Sequence, residues 1–362
     1  MPEAATTPAS PASRAPWWLW PNLLSLDAPL VACVWLWFFG ACERLSFEWE
    51  IYVALGGAVW CIYVGDRLAD VWRTGARTGE TGGVGRPSTV RLAFFRLHWK
   101  AFLGALLMVA PAVMAVALWR VPEKILWYGA RASVLVLVYF WQNLARVNRW
   151  AGGALAAILV VVLASVVWEV VAAVVWQLGL SPGLGDLLLY GYVSLGVLAV
   201  VLAIRGHPAQ IPTLLPKEAL CGITFAIGVT IPVFAYSTAR PQDFFTGAGV
   251  VLFACLCTLN CLAISLIERD ADRVDDPAAL PQRFPAIGRA FPSLALVLAV
   301  VAVAQAVDSR GGKAAILYAV AASALLLGAL WVFRARVSGN AYRVFADLSL
   351  LTPLAVAPIL GT

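Results

Sequence analysis

Eleven apolar runs, each long enough or nearly long enough to cross a bilayer as a helix, are separated along this chain by short charged stretches. Read between the charges, they place helices at about 23–42, 49–66, 99–118, 125–144, 151–177, 187–204, 216–237, 244–267, 290–307, 314–333 and 343–361. With 62% hydrophobic and 13% charged residues and a mean hydropathy of +0.84, almost no sequence is left for a globular domain. The expected fold is therefore all-α: a polytopic transmembrane bundle of about eleven helices, with residues 1–22 a disordered cytoplasmic tail and residues 23–362 one helical domain. Secreted disulfide scaffolds, soluble dinucleotide-binding enzymes and zinc fingers are excluded. Channels, transporters, membrane-embedded enzymes and structural subunits remain.

Charge sets the expected orientation. If the tail is cytoplasmic, nineteen of the 26 Lys and Arg residues fall on the inner side of the eleven-helix count and seven on the outer side. A wrong number of helices would scramble that alternation, so the split supports both the count and a cytoplasmic N-terminus. The net charge of +6 is then explained by membrane orientation, and no nucleic-acid partner is implied. Two inner loops run to more than twenty residues, from Val71 to about Lys100 and from Glu268 to about Arg289. The first contains a Gly79–Gly85 stretch without the Lys and Ser/Thr of a phosphate-binding loop. Cys255, Cys257 and Cys261 cluster, but offsets of two and six do not share one helical face, so no metal site is expected there.

The chemistry concentrates at two inner helix ends. Helix 2 closes on Asp66-Arg67-Leu68-Ala69-Asp70, two carboxylates four residues apart and so on one face. Like charges at that spacing repel, and a helix C-terminus also disfavours anions, so a cation should compensate: Arg67, Arg73 or a divalent metal. Helix 8 closes on Glu268-Arg269-Asp270-Ala271-Asp272 and continues to Asp275-Asp276. If the helix persists, Glu268, Asp272 and Asp276 stack on successive turns. Facing each other, the two clusters would hold Mg²⁺ through hard oxygen ligands, with a diphosphate completing the coordination. Read apart, each is equally a solvated, self-paired charge run.

Other polar groups at depth are fewer. Asp27 is either a helix cap or a site residue, and Asn260 lies two turns above Glu268, either lining the same cavity or joining helices. Glu169 and Arg131 read as a structural pair. His98 with Arg86, Arg91, Arg96 and Lys100 is a basic set suited to phosphate oxygens or to lipid headgroups.

Three separated segments together resemble the UbiA superfamily of intramembrane prenyltransferases. Leu26-Asp27-Ala28-Pro29-Leu30 is similar to that family's first-helix element, Asp66 to Asp70 to its first acidic motif, and Glu268 to Asp272 to its second, while Arg86-Pro87 is similar to the Arg-Pro after the first. Ile62 and Tyr63 stand where the first motif usually has Asn followed by an acid, and Glu268 replaces an Asp. The family's nine-helix fold would leave one extra hairpin here, within 125–204.

The resemblance implies Mg²⁺-dependent transfer of a polyprenyl group from its diphosphate to an aromatic or other lipophilic acceptor. Asp66, Asp70, Glu268 and Asp272 would be the metal ligands and catalytic acids. Asp27, Arg67, Arg86, Lys217, Asn260, Arg269 and Asp276 would be the substrate-binding set. Two other readings stay open: a non-catalytic isoprenoid- or lipid-binding protein, and a cation or solute transporter whose acidic clusters line a cytoplasmic vestibule.

Overall fold

The computed structural model describes residues 16–81, 89–144, 216–269 and 279–360, and every regular element among them is helical. The main helices are α1 (Asp27–Cys42), α2 (Trp49–Thr81), α3 (Val90–Arg120), α4 (Glu123–Leu144), α5 (Lys217–Tyr236), α6 (Ala248–Ile267), α7 (Ile287–Asp308), α8 (Gly312–Val332), α9 (Gly339–Leu348) and α10 (Pro353–Leu360). Six of these are long and apolar enough to cross a membrane, and a seventh span results if α1 is counted with the short helix before it. Large apolar side chains on the outer faces, such as Leu107 and Met108 on α3 and Val300 and Val307 on α7, are exposed. Patches of that kind need lipid around them. This is a helical, multi-pass membrane bundle.

Several boundaries differ from the sequence reading. The expected tail ends early, because Trp17–Leu19 and Trp20–Leu23 are short helices with Leu19, Asn22 and Leu23 buried. This pair meets α1 at 80°, with Ser25 at φ 55° at the bend. Trp60 Nε1 donates to the Leu24 carbonyl at 3.0 Å, and Trp20 packs edge-on against Phe94, which explains why the segment docks. The long first loop is mostly helix: α2 runs on to Thr81, and α3 starts at Val90 behind a Thr89 cap that accepts from the Leu92 amide at 3.2 Å. Loop composition misled here because nothing from Val71 to Gly79 breaks a helix except glycine, whose cost is about 1 kcal/mol. The last expected span is broken at Thr352, before Pro353, giving α9, a single 3-10 turn and α10. The helices expected at 151–177 and 187–204, and with them most of the extra hairpin, fall outside the described residues.

The core forms where α1, α5, α6 and α8 meet. Trp35 stacks on Phe253 with ring centroids 4.2 Å apart, and its indole donates to the Leu350 carbonyl at 2.7 Å, which ties α1 to the break between α9 and α10. Ser323 and Thr352 share a 2.6 Å hydrogen bond, and Thr352 also donates to the Ala319 carbonyl at 2.9 Å. Those bonds satisfy polar groups where the chain is not regular helix. The α5–α6 crossing is close because Gly222 lies directly against the backbone of Thr258, so any Cβ there would overlap it. Gly222→Ala should therefore separate the two helices and cost about 1–3 kcal/mol. An apparent unfolding temperature in detergent equal to that of the native chain would rule this packing out.

Candidate functional site

A cavity of about 890 Å³ lies between α2, α3, α4, α5 and α6 and reaches α9, a size that suits a substantial organic ligand. Its walls are mostly apolar, with Leu55, Val59, Met114, Leu118, Leu126 and Val136 among them. Charged side chains enter it from α1, α2, α3, α5, α9 and the end of α6, and these include most of the residues that the sequence singled out.

Tyr63, Asp66, Arg67 and Asp70 face the cavity from α2. Arg67 Nη1 lies 3.1 Å from Asp70 Oδ2, and Nη2 lies 3.8 Å from Asp66 Oδ2, so one guanidinium bridges the two acids. That is the compensating cation which the like-charge spacing demanded. Tyr139 on α4 donates its hydroxyl to Asp66 Oδ1 at 3.0 Å. Because α2 runs on to Thr81, the acidic pair sits inside the helix instead of at its C-terminus. The expected repulsion by the helix end therefore does not operate.

Of the second cluster, Glu268 and Arg269 lie among the described residues. Helix α6 ends at Ile267, and Glu268 is its C-terminal cap residue. Asp272 and Asp276 lie outside the described residues, as does Arg86. Glu268 lines the cavity and forms an ion pair with Arg343 of α9, a partner that the sequence reading did not assign. Arg269 is not among the lining residues; its carbonyl accepts from Gln282 Nε2.

Lys217 and Glu218 enter from the first turn of α5. Glu218 is buried; its Oε1 accepts from Ser265 Oγ and from the Leu280 amide, both at 3.0 Å, while Oε2 has no hydrogen-bond partner. Asn260, only 8% exposed, donates from Nδ2 to Asp347 Oδ1 at 3.1 Å and leaves its own Oδ1 without a partner. Asp27 is the first residue of α1; Leu26 takes the cap position. Asp27 accepts from Asn22 Nδ2 at 2.5 Å and from the Ala28 amide at 3.0 Å, and it lines the cavity.

Of the basic set around His98, Arg91 alone lines the cavity, while Arg86 is not described. His98 and Lys100 are exposed, His98 at a non-helical kink inside α3. The Arg131 guanidinium lies over the ring of Tyr128 at 5.4 Å, and its expected partner Glu169 is outside the described residues. Cys221 and Cys261 reach the wall of the cavity, whereas Cys257 is buried.

Sequence reasoning did not assign Tyr139, Glu218, Arg343 or Asp347 to the site. Glu218 and Asp347 carried a usable signal, an acid inside an otherwise apolar run. Tyr139 carried none, since a tyrosine in a membrane helix is commonplace.

A divalent cation fits this donor set chemically. Six carboxylates line the cavity (Asp27, Asp66, Asp70, Glu218, Glu268 and Asp347) against four cationic side chains (Arg67, Arg91, Lys217 and Arg343). Carboxylate oxygens are the hard ligands that Mg²⁺ prefers. Among the described residues, no three acids, cysteines or histidines stand close enough to hold one ion. Mg²⁺ commonly takes only one or two carboxylates and fills the rest of its shell with phosphate oxygens and water, so the two observations are compatible. Compared with family models, curated proteins and solved structures, the chain has no match.

Proposed function

We propose that this chain is a divergent prenyltransferase of the UbiA type, moving a polyprenyl group from its diphosphate to a lipophilic acceptor within the membrane. The observation that supports it is one cavity with two kinds of wall. Asp66 and Asp70 from the first motif and Glu268 from the second line the same space as a long apolar surface. A prenyl diphosphate has that same division between a highly charged head and a hydrocarbon tail. The loop charges favour the cytoplasmic side for the acidic motifs, where a water-soluble diphosphate product can leave.

In this reading Asp66, Asp70, Glu268 and Asp272 would hold Mg²⁺. The chemistry that a bound ion supplies is neutralisation of the charge on the departing diphosphate. The chain's own cations do the same work: Lys217, at the amino end of α5, and Arg67, between the two acids, bind phosphate oxygens. The Tyr139 hydroxyl fixes the orientation of Asp66. Apolar side chains of α3 and α4 hold the tail and keep water from the allylic carbon as its bond to oxygen ionises.

A second reading, a protein that binds an isoprenoid or lipid without turning it over, is favoured by one specific feature. The acids are already answered by protein cations, Asp66 and Asp70 by Arg67 and Glu268 by Arg343. Release of diphosphate from a panel of prenyl diphosphates by the purified chain, with and without Mg²⁺, separates the two. Mg²⁺-dependent release is expected; saturable binding with no release would replace the first reading by the second.

A further inference from the structure

The prenyl-transfer reading leaves the cysteines without a role. All seven are free thiols, and three of them, Cys61, Cys221 and Cys261, line the cavity. The sequence grouped Cys261 with Cys255 and Cys257 on one helix, but the fold gives it a neighbour from another. Cys221 lies on α5, one residue before Gly222 and three after Glu218, and Cys261 lies on α6, three residues after Thr258 and four before Ser265. Both sets of flanking residues are direct contacts between the two helices. A Cβ on Gly222 would stand 2.4 Å from the Thr258 amide nitrogen, and Ser265 Oγ donates to Glu218 Oε1 at 3.0 Å.

The two cysteines therefore meet between two fixed points, where the helix backbones touch. Each thiol has the other as its principal polar neighbour, and Tyr63 of α2 is also beside Cys221. A disulfide needs Cα atoms about 4.4–6.8 Å apart, and a glycine at the crossing is what lets two helices come that near. Both side chains are partly exposed and belong to the cavity wall, so a small reagent reaches them from the charged end, one turn away at Lys217 and Glu218. Cys257, one turn before Cys261, is buried.

We propose that Cys221 and Cys261 are a modification site: a dithiol in the cavity wall that a small organic disulfide oxidises to an intramolecular disulfide across α5 and α6. One cysteine thiolate attacks the S–S bond of the reagent, which forms a mixed disulfide and releases one small thiolate. The other cysteine thiolate then attacks the cysteine sulfur of that mixed disulfide, which forms the Cys221–Cys261 bond and releases the second small thiolate. The two cysteine protons pass to the released thiolates, so the cysteines are oxidised, the reagent is reduced and nothing else is consumed. Fixed proximity of the partner thiol drives the second step. The link joins the helix that begins at Lys217 to the helix capped by Glu268, and it forms whichever ligand the cavity takes.

The test is peptide mapping by mass spectrometry of the full chain in phosphatidylcholine nanodiscs, first reduced, then freed of reductant and exposed to 2-hydroxyethyl disulfide. A Cys221–Cys261 link is expected in about tenfold or greater excess over any other cysteine pair, and dithiothreitol should reverse it. Cys221→Ser and Cys261→Ser should each leave the remaining cysteine of the pair as a stable mixed disulfide, because the thiol that resolves it is gone. Persistent mixed disulfides on both Cys221 and Cys261 of the native chain, a Cys221–Cys257 link in place of the expected one, or no modification at either cysteine would overturn the pair. The native map decides the matter alone if a serine variant fails to fold by circular dichroism.

Discussion

Asp66→Asn is expected to lower Mg²⁺-dependent diphosphate release at least about a hundredfold, the size typical for removing one electrostatic stabiliser of a transition state. The substitution is chosen for how little else it changes. Asn is isosteric with Asp and still offers an oxygen to the Tyr139 hydroxyl, which now sits 3.0 Å from Asp66 Oδ1. The charge is lost, and with it both a proposed hard metal ligand and half of the Arg67 ion pair. Tyr139→Phe provides the comparison, since it removes the orienting hydrogen bond and keeps the charge; a loss of about tenfold or less is expected. Asp272→Asn should behave as Asp66→Asn does if, as proposed, the second motif would also hold the ion. Steady-state release measured across Mg²⁺ concentrations tests all three. Full activity in Asp66→Asn would remove the acidic pair from the mechanism.

The Arg343–Glu268 ion pair carries the largest expected effect on stability. Both side chains are mostly withdrawn from solvent, at 5% and 16% exposure, so neither charge can fall back on water. Arg343→Leu leaves Glu268 uncompensated, and the expected cost is about 3–5 kcal/mol, while the double variant Arg343→Leu/Glu268→Leu should recover most of it. Apparent unfolding temperatures of the native chain, the two single variants and the double variant in one detergent give the coupling directly. If Glu268 is also a metal ligand, Mg²⁺ should stabilise Arg343→Leu more than it stabilises the native chain, because the ion no longer competes with a guanidinium. Additive single and double variants would show that the pair holds nothing together.

What could be read beforehand follows from the range of each physical signal. Spacings of four residues report on one helix face, so Asp66 and Asp70 could be paired in advance, and so could the need for a cation between them. Asp347 could not be matched with Asn260, nor Arg343 with Glu268, because no local pattern says which distant helix ends meet. Helix ends were the weakest part of the reading. Charged residues from Val71 onward looked like loop, yet α2 carries through to Thr81, because a charge outside the apolar slab does not interrupt a helix. At Glu268 the boundary came close to the expected one, since α6 ends at Ile267 with Glu268 as its cap.

Hydropathy alone determined that this is a helical membrane protein, because every stretch of backbone inside a bilayer must satisfy its own hydrogen bonds and runs of about 20 apolar residues can do so only as helices. The arrangement of acids and arginines in pairs around one cavity was decided by the tertiary structure. Their partners come from distant helices, as with Tyr139 and Asp66, 73 positions apart in the chain. Pairing over that distance depends on how the helices cross, at contacts such as Gly222 against Thr258 and Trp35 against Leu350, and those crossings have no periodic signature in a single sequence.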